Sequence, residues 1–101
     1  IILISKGVNM DMNHVKGKNK GHISLYALST CGWCKKTERL LDQAKVEYYY
    51  TEVDLLQGEE REKAMKELKR WNPQCTFPTL VIDDKCIIGY QEDEIKETIG
   101  I

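Results

Sequence analysis

Histidine, proline and phenylalanine are scarce in this 101-residue chain: two, two and one, respectively. The histidine count matters first, because the sequence also carries Cys31-Gly-Trp-Cys34, and C-x-x-C is half of a common zinc site. The other half is missing. Cys75 and Cys86 stand eleven apart, His14 lies in an N-terminal arm, and His22 precedes the first expected strand. No metal is therefore expected, although the motif alone fits either a structural zinc or an inert buried disulfide.

Long apolar runs are also lacking. Ile1–Ile4 is the only dense apolar patch near the N-terminus, and it is too short for a membrane-spanning helix or a secretory h-region. Charge of one sign is absent as well: 15 Lys and Arg face 16 Asp and Glu, a formal net charge of −1. That balance gives no reason to expect nucleic acid as a partner, and there is no acidic tail. The sequence shows neither repeats nor low complexity. Without an export signal, four cysteines point to a reducing, cytoplasmic setting and a working thiol pair rather than a disulfide framework.

What is present is enough for one domain with one modest core: 42% apolar and 31% charged residues. Residues 1–21 carry Lys6, Lys16, Lys18 and Lys20 against Asp11, with scattered Gly and Asn, and read as a basic, flexible extension. The domain proper is expected over 22–101. His22–Leu28 alternates, with Ile23, Leu25 and Ala27 on one side and Ser24, Tyr26 and Leu28 on the other, as a strand covered on both faces does. Gly32 to about Lys45 has Cys34, Thr37, Leu41 and Ala44 at helical spacing opposite a charged side.

Val46–Val53 is rich in Tyr and Val and reads as a second strand. Gly58 to about Trp71 is a helix with Ala64, Leu68 and Trp71 in one stripe, ended by Asn72-Pro73. Thr79–Ile82 and Cys86–Ile88, joined through Asp83-Asp84-Lys85, form a hairpin, and Gln91–Ile99 is a final helix with acids in its first turn. The order β-α-β-α-β-β-α predicts an α/β domain. Its first two strands are parallel and its last two antiparallel, in a four-stranded mixed sheet with flanking helices, the thioredoxin-type architecture.

The C-x-x-C falls at the first strand-to-helix junction. Two thiols three residues apart there can close a disulfide without unfolding anything. Cys31 is expected at the helix N-terminus, where unpaired N–H groups and the helix dipole favour a thiolate, with Lys35 and Lys36 one turn away. Such settings lower a cysteine pKa from about 8.5 to between ~3.5 and ~7.5. Cys34 falls on the inner stripe. Cys31 is then the attacking thiolate, and Cys34 resolves the mixed disulfide. Pro78, in Thr76-Phe77-Pro78-Thr79, is either a plain strand-entry proline or a cis bond freeing Phe77 to pair with an extended substrate.

With these residues placed, the chain resembles the glutaredoxin family over about residues 22–100. The resemblance rests on the C-x-x-C with Lys35-Lys36-Thr37 and Leu40-Leu41 behind it. It continues through Thr76-Phe77-Pro78, close to the family's Thr-Val-Pro, and the hairpin leading through Ile88-Gly89 into an acidic helix. It implies a cis Pro78 beside the cysteines, and substrate contacts from Thr30, Gly32, Trp33, Phe77, Pro78, Gly89 and Tyr90.

The sequence also departs from the family's pattern. Leu28 stands where glutathione-using members carry a basic residue, and Gly89-Tyr90-Gln91-Glu92-Asp93 replaces a Gly-Gly pair followed by an acid. An aromatic after that glycine is more like the redoxins that feed ribonucleotide reductase and take electrons from a flavoprotein reductase. Thioredoxins proper have Trp before the motif, Pro within it and an acid in the preceding strand; Thr30, Trp33 and the acid-free Ile23–Leu28 differ.

The resemblance thus implies a monomeric dithiol–disulfide oxidoreductase with no cofactor beyond its own redox disulfide. It would reduce protein disulfides and be recharged by an NADPH- or ferredoxin-linked reductase, with no membrane partner. A glutathione-dependent deglutathionylase and a protein ligating a [2Fe–2S] cluster between two copies of Cys31 are the alternatives. Cys75 is either a third redox thiol or a small filler.

Overall fold

The structure, a computed structural model, describes residues 12–101; the Ile1–Ile4 patch lies outside the described residues. In chain order the elements are β1 (Asn13–Val15), β2 (Ile23–Ala27), α1 (Gly32–Ala44) and β3 (Tyr48–Glu52). A 3-10 turn (Val53–Leu55), α2 (Gly58–Trp71), β4 (Thr79–Ile82), β5 (Lys85–Ile88) and α3 (Glu92–Ile99) follow. The sheet order is β1-β3-β2-β4-β5. β2 and β3 run parallel around α1, and β4 pairs antiparallel with both β2 and β5, as the element order requires.

The sheet has five strands rather than four. The added strand comes from the segment read as an extension: Asn13, His14 and Val15 pair antiparallel with Tyr50, Tyr49 and Tyr48. The edge of β3 offers a row of unpaired backbone groups, and a short strand satisfies them. The His14 ring stacks on Tyr49 at 4.6 Å and its Nε2 meets Glu47. Lys18 then bonds to Lys45 O and Glu47 N at 2.8 Å each. The main chain at Gly17 runs so close that a Cβ there would lie 2.5 Å from the Val46 carbonyl carbon, so only glycine fits.

The alternation in β2 decides the layers. Ile23, Leu25 and Ala27 join Leu40, Leu41, Ile87, Ile95 and Ile99 in one core, which α1 and α3 cover. Tyr26 faces the other side with Val81 and Leu68, under α2. Leu68 alone is fully buried on α2; Met65 and Trp71 are half-buried against that second core. The hairpin turn is Asp83-Asp84, with Asp83 at φ 52°, so β5 begins one residue earlier than expected, at Lys85. Among the described residues no helix is long and apolar enough to cross a membrane.

Candidate active site

β2 delivers the chain to the junction where α1 begins. Its last turn, Leu28–Cys31, is closed by the Cys31 N–H donating to Leu28 O at 3.2 Å. A carboxylate from a distant element fixes the same turn. Asp54 Oδ1 accepts the Ser29 N–H at 2.9 Å, and its Oδ2 accepts the Ser29 hydroxyl at 2.5 Å. These two bonds hold the Asp54 carboxyl below the ordinary aspartate range.

Cys31 is the N-cap of α1, in extended conformation (φ −94°, ψ 114°). Its Sγ accepts the Cys34 N–H at 3.2 Å, satisfying one of the orphan donors of the first turn. Cys31 is half-buried, whereas Cys34 is completely enclosed, and both are free thiols. Burial pushes the Cys34 thiol up to about 12, and its hydrogen bond with Cys31 adds to the rise. An incoming disulfide can therefore reach one sulfur and not the other.

Around Cys31 the structure gathers part of the expected set. Trp33 is 58% exposed and stacks on Tyr90, with ring centroids 5.9 Å apart and planes 28° from parallel. Cys31, Phe77 and Tyr90 each pack against the core that includes Cys34. The Phe77–Pro78 peptide bond is cis and Pro78 is buried. The Gly89 N–H, in left-handed conformation (φ 83°), donates to Pro78 O at 2.8 Å and ties this loop to the strand that leads to Tyr90. Thr30 and Gly32 are exposed, with open space around Gly32.

The two lysines have partners of their own. Lys35 Nζ pairs with Glu52 at 3.3 Å and lies 4.0 Å from Glu38, and these carboxylates, Glu38 foremost, raise its pKa. Lys36 Nζ sits 4.8 Å over the Trp33 ring. Cys75 and Cys86 stand on the α2 side. Cys75 (φ 54°) packs against the Tyr26, Leu68 and Val81 core, as Trp71 and Phe77 do, and Cys86 Sγ donates to Trp71 O at 3.5 Å, its thiol raised by burial.

Two positioning residues escaped the sequence reading. Besides Asp54, the buried Asn72 reaches with its Nδ2 to Thr76 O (3.3 Å), Thr76 Oγ1 (2.9 Å) and Thr79 Oγ1 (3.0 Å). Its Oδ1 accepts the Gln74 N–H, and its carbonyl accepts the Cys75 N–H. Asn72 thus grips both ends of the Phe77–Pro78 loop. The available signal was an amide four and seven residues before the two threonines that bracket Phe-Pro.

A strand-to-helix junction, a capping cysteine, an enclosed partner thiol and a cis-proline loop whose Phe77 packs against the same core define a thiol–disulfide oxidoreductase of the thioredoxin-type fold. The glutaredoxin family profile matches residues 23–87. A glutaredoxin-like 8.6 kDa protein in a rubredoxin operon of Clostridium pasteurianum is 30% identical over 77 residues, covering 76% of this chain and 96% of that protein. Among solved structures, the glutaredoxin of Methanosarcina mazei Go1 is 47% identical with a TM-score of 0.82, covering 89% of this chain and 88% of its own. The methanoredoxin of Methanosarcina acetivorans is 45% identical with a TM-score of 0.81, covering 84% and 90%. The chain belongs to the glutaredoxin family.

Proposed function

We propose that this protein reduces disulfides of other proteins through Cys31 and Cys34, and that a protein reductase, rather than mainly glutathione, recharges it. The Cys31 thiolate attacks one sulfur of the target, forming a Cys31–target mixed disulfide and releasing the other target sulfur as a thiolate. Cys34 then gives up its proton and attacks the Cys31 sulfur. The product is the Cys31–Cys34 disulfide and the second target thiolate, so two electrons have passed to the target. The reductase's dithiol returns them by the same exchange in reverse.

The contrast between a capping, accessible Cys31 and an enclosed Cys34 carries this reading. The order of attack follows from access. The role of Lys35 and Lys36 as thiolate stabilisers is weaker support. Lys35 is shared with two carboxylates, and Lys36 acts from over the Trp33 ring.

The preference for a protein reductase rests on Leu28 and Tyr90. Glutathione carries two carboxylates, and Leu28 offers them no charge. Tyr90, stacked on Trp33, fills space that a glycine would leave open. Ribonucleotide reductase is one target class this pattern suits, and a cytoplasmic setting suits four free thiols. The deciding experiment is a coupled assay of Cys31–Cys34 reduction with glutathione against NADPH- and ferredoxin-linked reductases. Glutathione turnover equal to that of every reductase overturns the proposal, and a brown protein from anaerobic purification points to the cluster-binding alternative.

A further inference from the structure

Between α1 and α3 a groove of about 480 Å³ opens beside the Trp33–Tyr90 stack. Leu40 and Ala44 are among the side chains that line it, together with Lys36, Arg39, Lys96 and Glu92. Its one carboxylate side chain is already taken, because Lys96 Nζ pairs with Glu92 at 3.0 Å. Lys36 and Arg39 are exposed and make no ion pair among the described residues; Lys36 lies instead over the Trp33 ring. The groove thus carries three cationic side chains, Lys36, Arg39 and Lys96, against one carboxylate side chain, on a chain whose net charge is −1.

We infer that this groove docks an extended acidic segment of the protein whose disulfide Cys31 attacks. The inference rests on the protein-disulfide reading above and adds the class of target. The spacing selects the occupant. Lys36 and Arg39 are three apart on one helical face, so their stems start roughly 5–6 Å apart. Alternate side chains of an extended peptide lie roughly 6.6 Å apart on one side, which brings carboxylates at alternate residues opposite both cations. From Trp33 to Ala44 the helix advances ~16 Å, the reach of about five extended residues. A small dianion meets only one end of such a groove. A segment running away from the target's cystine spans it, its first residues against Trp33 and its acids against Lys36 and Arg39.

The test uses three synthetic peptides, each with one intramolecular disulfide followed by a five-residue flank containing Glu, Gln or Lys at alternate positions. Second-order rate constants for oxidation of the reduced protein are read from Trp fluorescence at low salt. The Glu peptide should react about tenfold faster than the Lys peptide, with Gln between, and 0.5 M salt should collapse the difference. In the double variant Lys36→Glu, Arg39→Glu the Glu-to-Lys rate ratio should invert. Taking the ratio cancels any effect of the substitutions on Cys31 itself.

Equal rates for the three peptides, or a ratio unchanged in the double variant, overturn the inference. Sedimentation of the wild-type protein as a dimer that the double variant loses overturns it too, since a second copy would then be the occupant. Bis(2-hydroxyethyl) disulfide, small and uncharged, separates the two levels. If the protein fails to reduce even that, the oxidoreductase reading itself has failed, whereas normal reduction with no flank discrimination condemns only the groove.

Discussion

The main-chain N–H of Cys34 points at the Cys31 sulfur across 3.2 Å, so the enclosed cysteine supplies a hydrogen bond to the one that substrate can reach. The pair is built unequal before any chemistry occurs. One sulfur caps a helix, and the other lies in the apolar interior with its thiol pushed up to about 12, mainly by burial.

This inequality sets the first expectation. Cys31→Ser abolishes disulfide reduction, and Cys34→Ser accumulates a mixed disulfide with substrate. Because burial rather than Cys31 is the larger cause of the Cys34 shift, Cys34 in the Cys31→Ser variant should still resist iodoacetamide at pH 8. Mass spectrometry after a short alkylation pulse on the reduced wild type checks the order. Faster labelling at Cys34 than at Cys31 would reverse the assignment.

Asn72 should matter to stability and turnover out of proportion to its position at a helix end. Asn72→Ala removes the amide that meets exposed Thr76 and buried Thr79 and leaves the Thr79 hydroxyl without that donor, at a cost of about 1 kcal/mol. Asn72→Asp should do no better, since an oxygen replaces the donor facing Thr76 O. Urea denaturation gives the stability. If Asn72 positions the proline loop, turnover of a protein disulfide falls while the alkylation rate of Cys31 holds. Equal loss in both would mean general disruption instead.

Asp54 makes a prediction with a definite pH sign. Its carboxyl is held below the ordinary value by the two bonds from Ser29, so the folded state binds fewer protons there than the unfolded state does. Its contribution is therefore present above the unfolded aspartate pKa of about 3.9 and lost as pH falls through the lower folded value. The urea midpoints of wild type and Asp54→Ala should differ at pH 7 and converge in strong acid. A difference that persists undiminished at pH 2 would show that the bonds with Ser29 are not its source.

These two positioning residues mark the boundary of what the sequence made legible. Ile23, Leu25 and Ala27 announced their face by simple alternation, and Cys34 announced its burial by sharing a helical stripe with Leu41. Such patterns are local, and each residue's fate follows from its near neighbours. The Ser29–Asp54 clamp joins residues 25 apart in sequence, and Asn72 looks like a helix stop until the loop it holds is folded. Asn13–Val15 escaped because a three-residue edge strand with two exposed side chains has no alternation to read. Lys35 was placed near Cys31 by its spacing from it, but Glu52, on the neighbouring strand, claims its ammonium.

The last prediction concerns the electron source and turns on Leu28 and Tyr90. A tripeptide thiol with two carboxylates needs fixed positive charge near Cys31, and half-buried Leu28 supplies none. Tyr90, held against Trp33 with centroids 5.9 Å apart, narrows the approach from the other side. Leu28→Lys should raise the rate of reduction of Cys31–Cys34 by glutathione. One exposed charge near a carboxylate is worth about 1 kcal/mol or less, which limits the gain to several-fold. Tyr90→Gly should add to it by freeing space, and the double variant should show both effects multiplied if charge and access act separately. The same variants should gain nothing with a protein reductase and should lose rate if Tyr90 is part of its docking surface. Stopped-flow oxidation and reduction, followed through Trp33, read both arms. A wild-type glutathione rate that neither substitution moves would show that Leu28 and Tyr90 do not choose the donor.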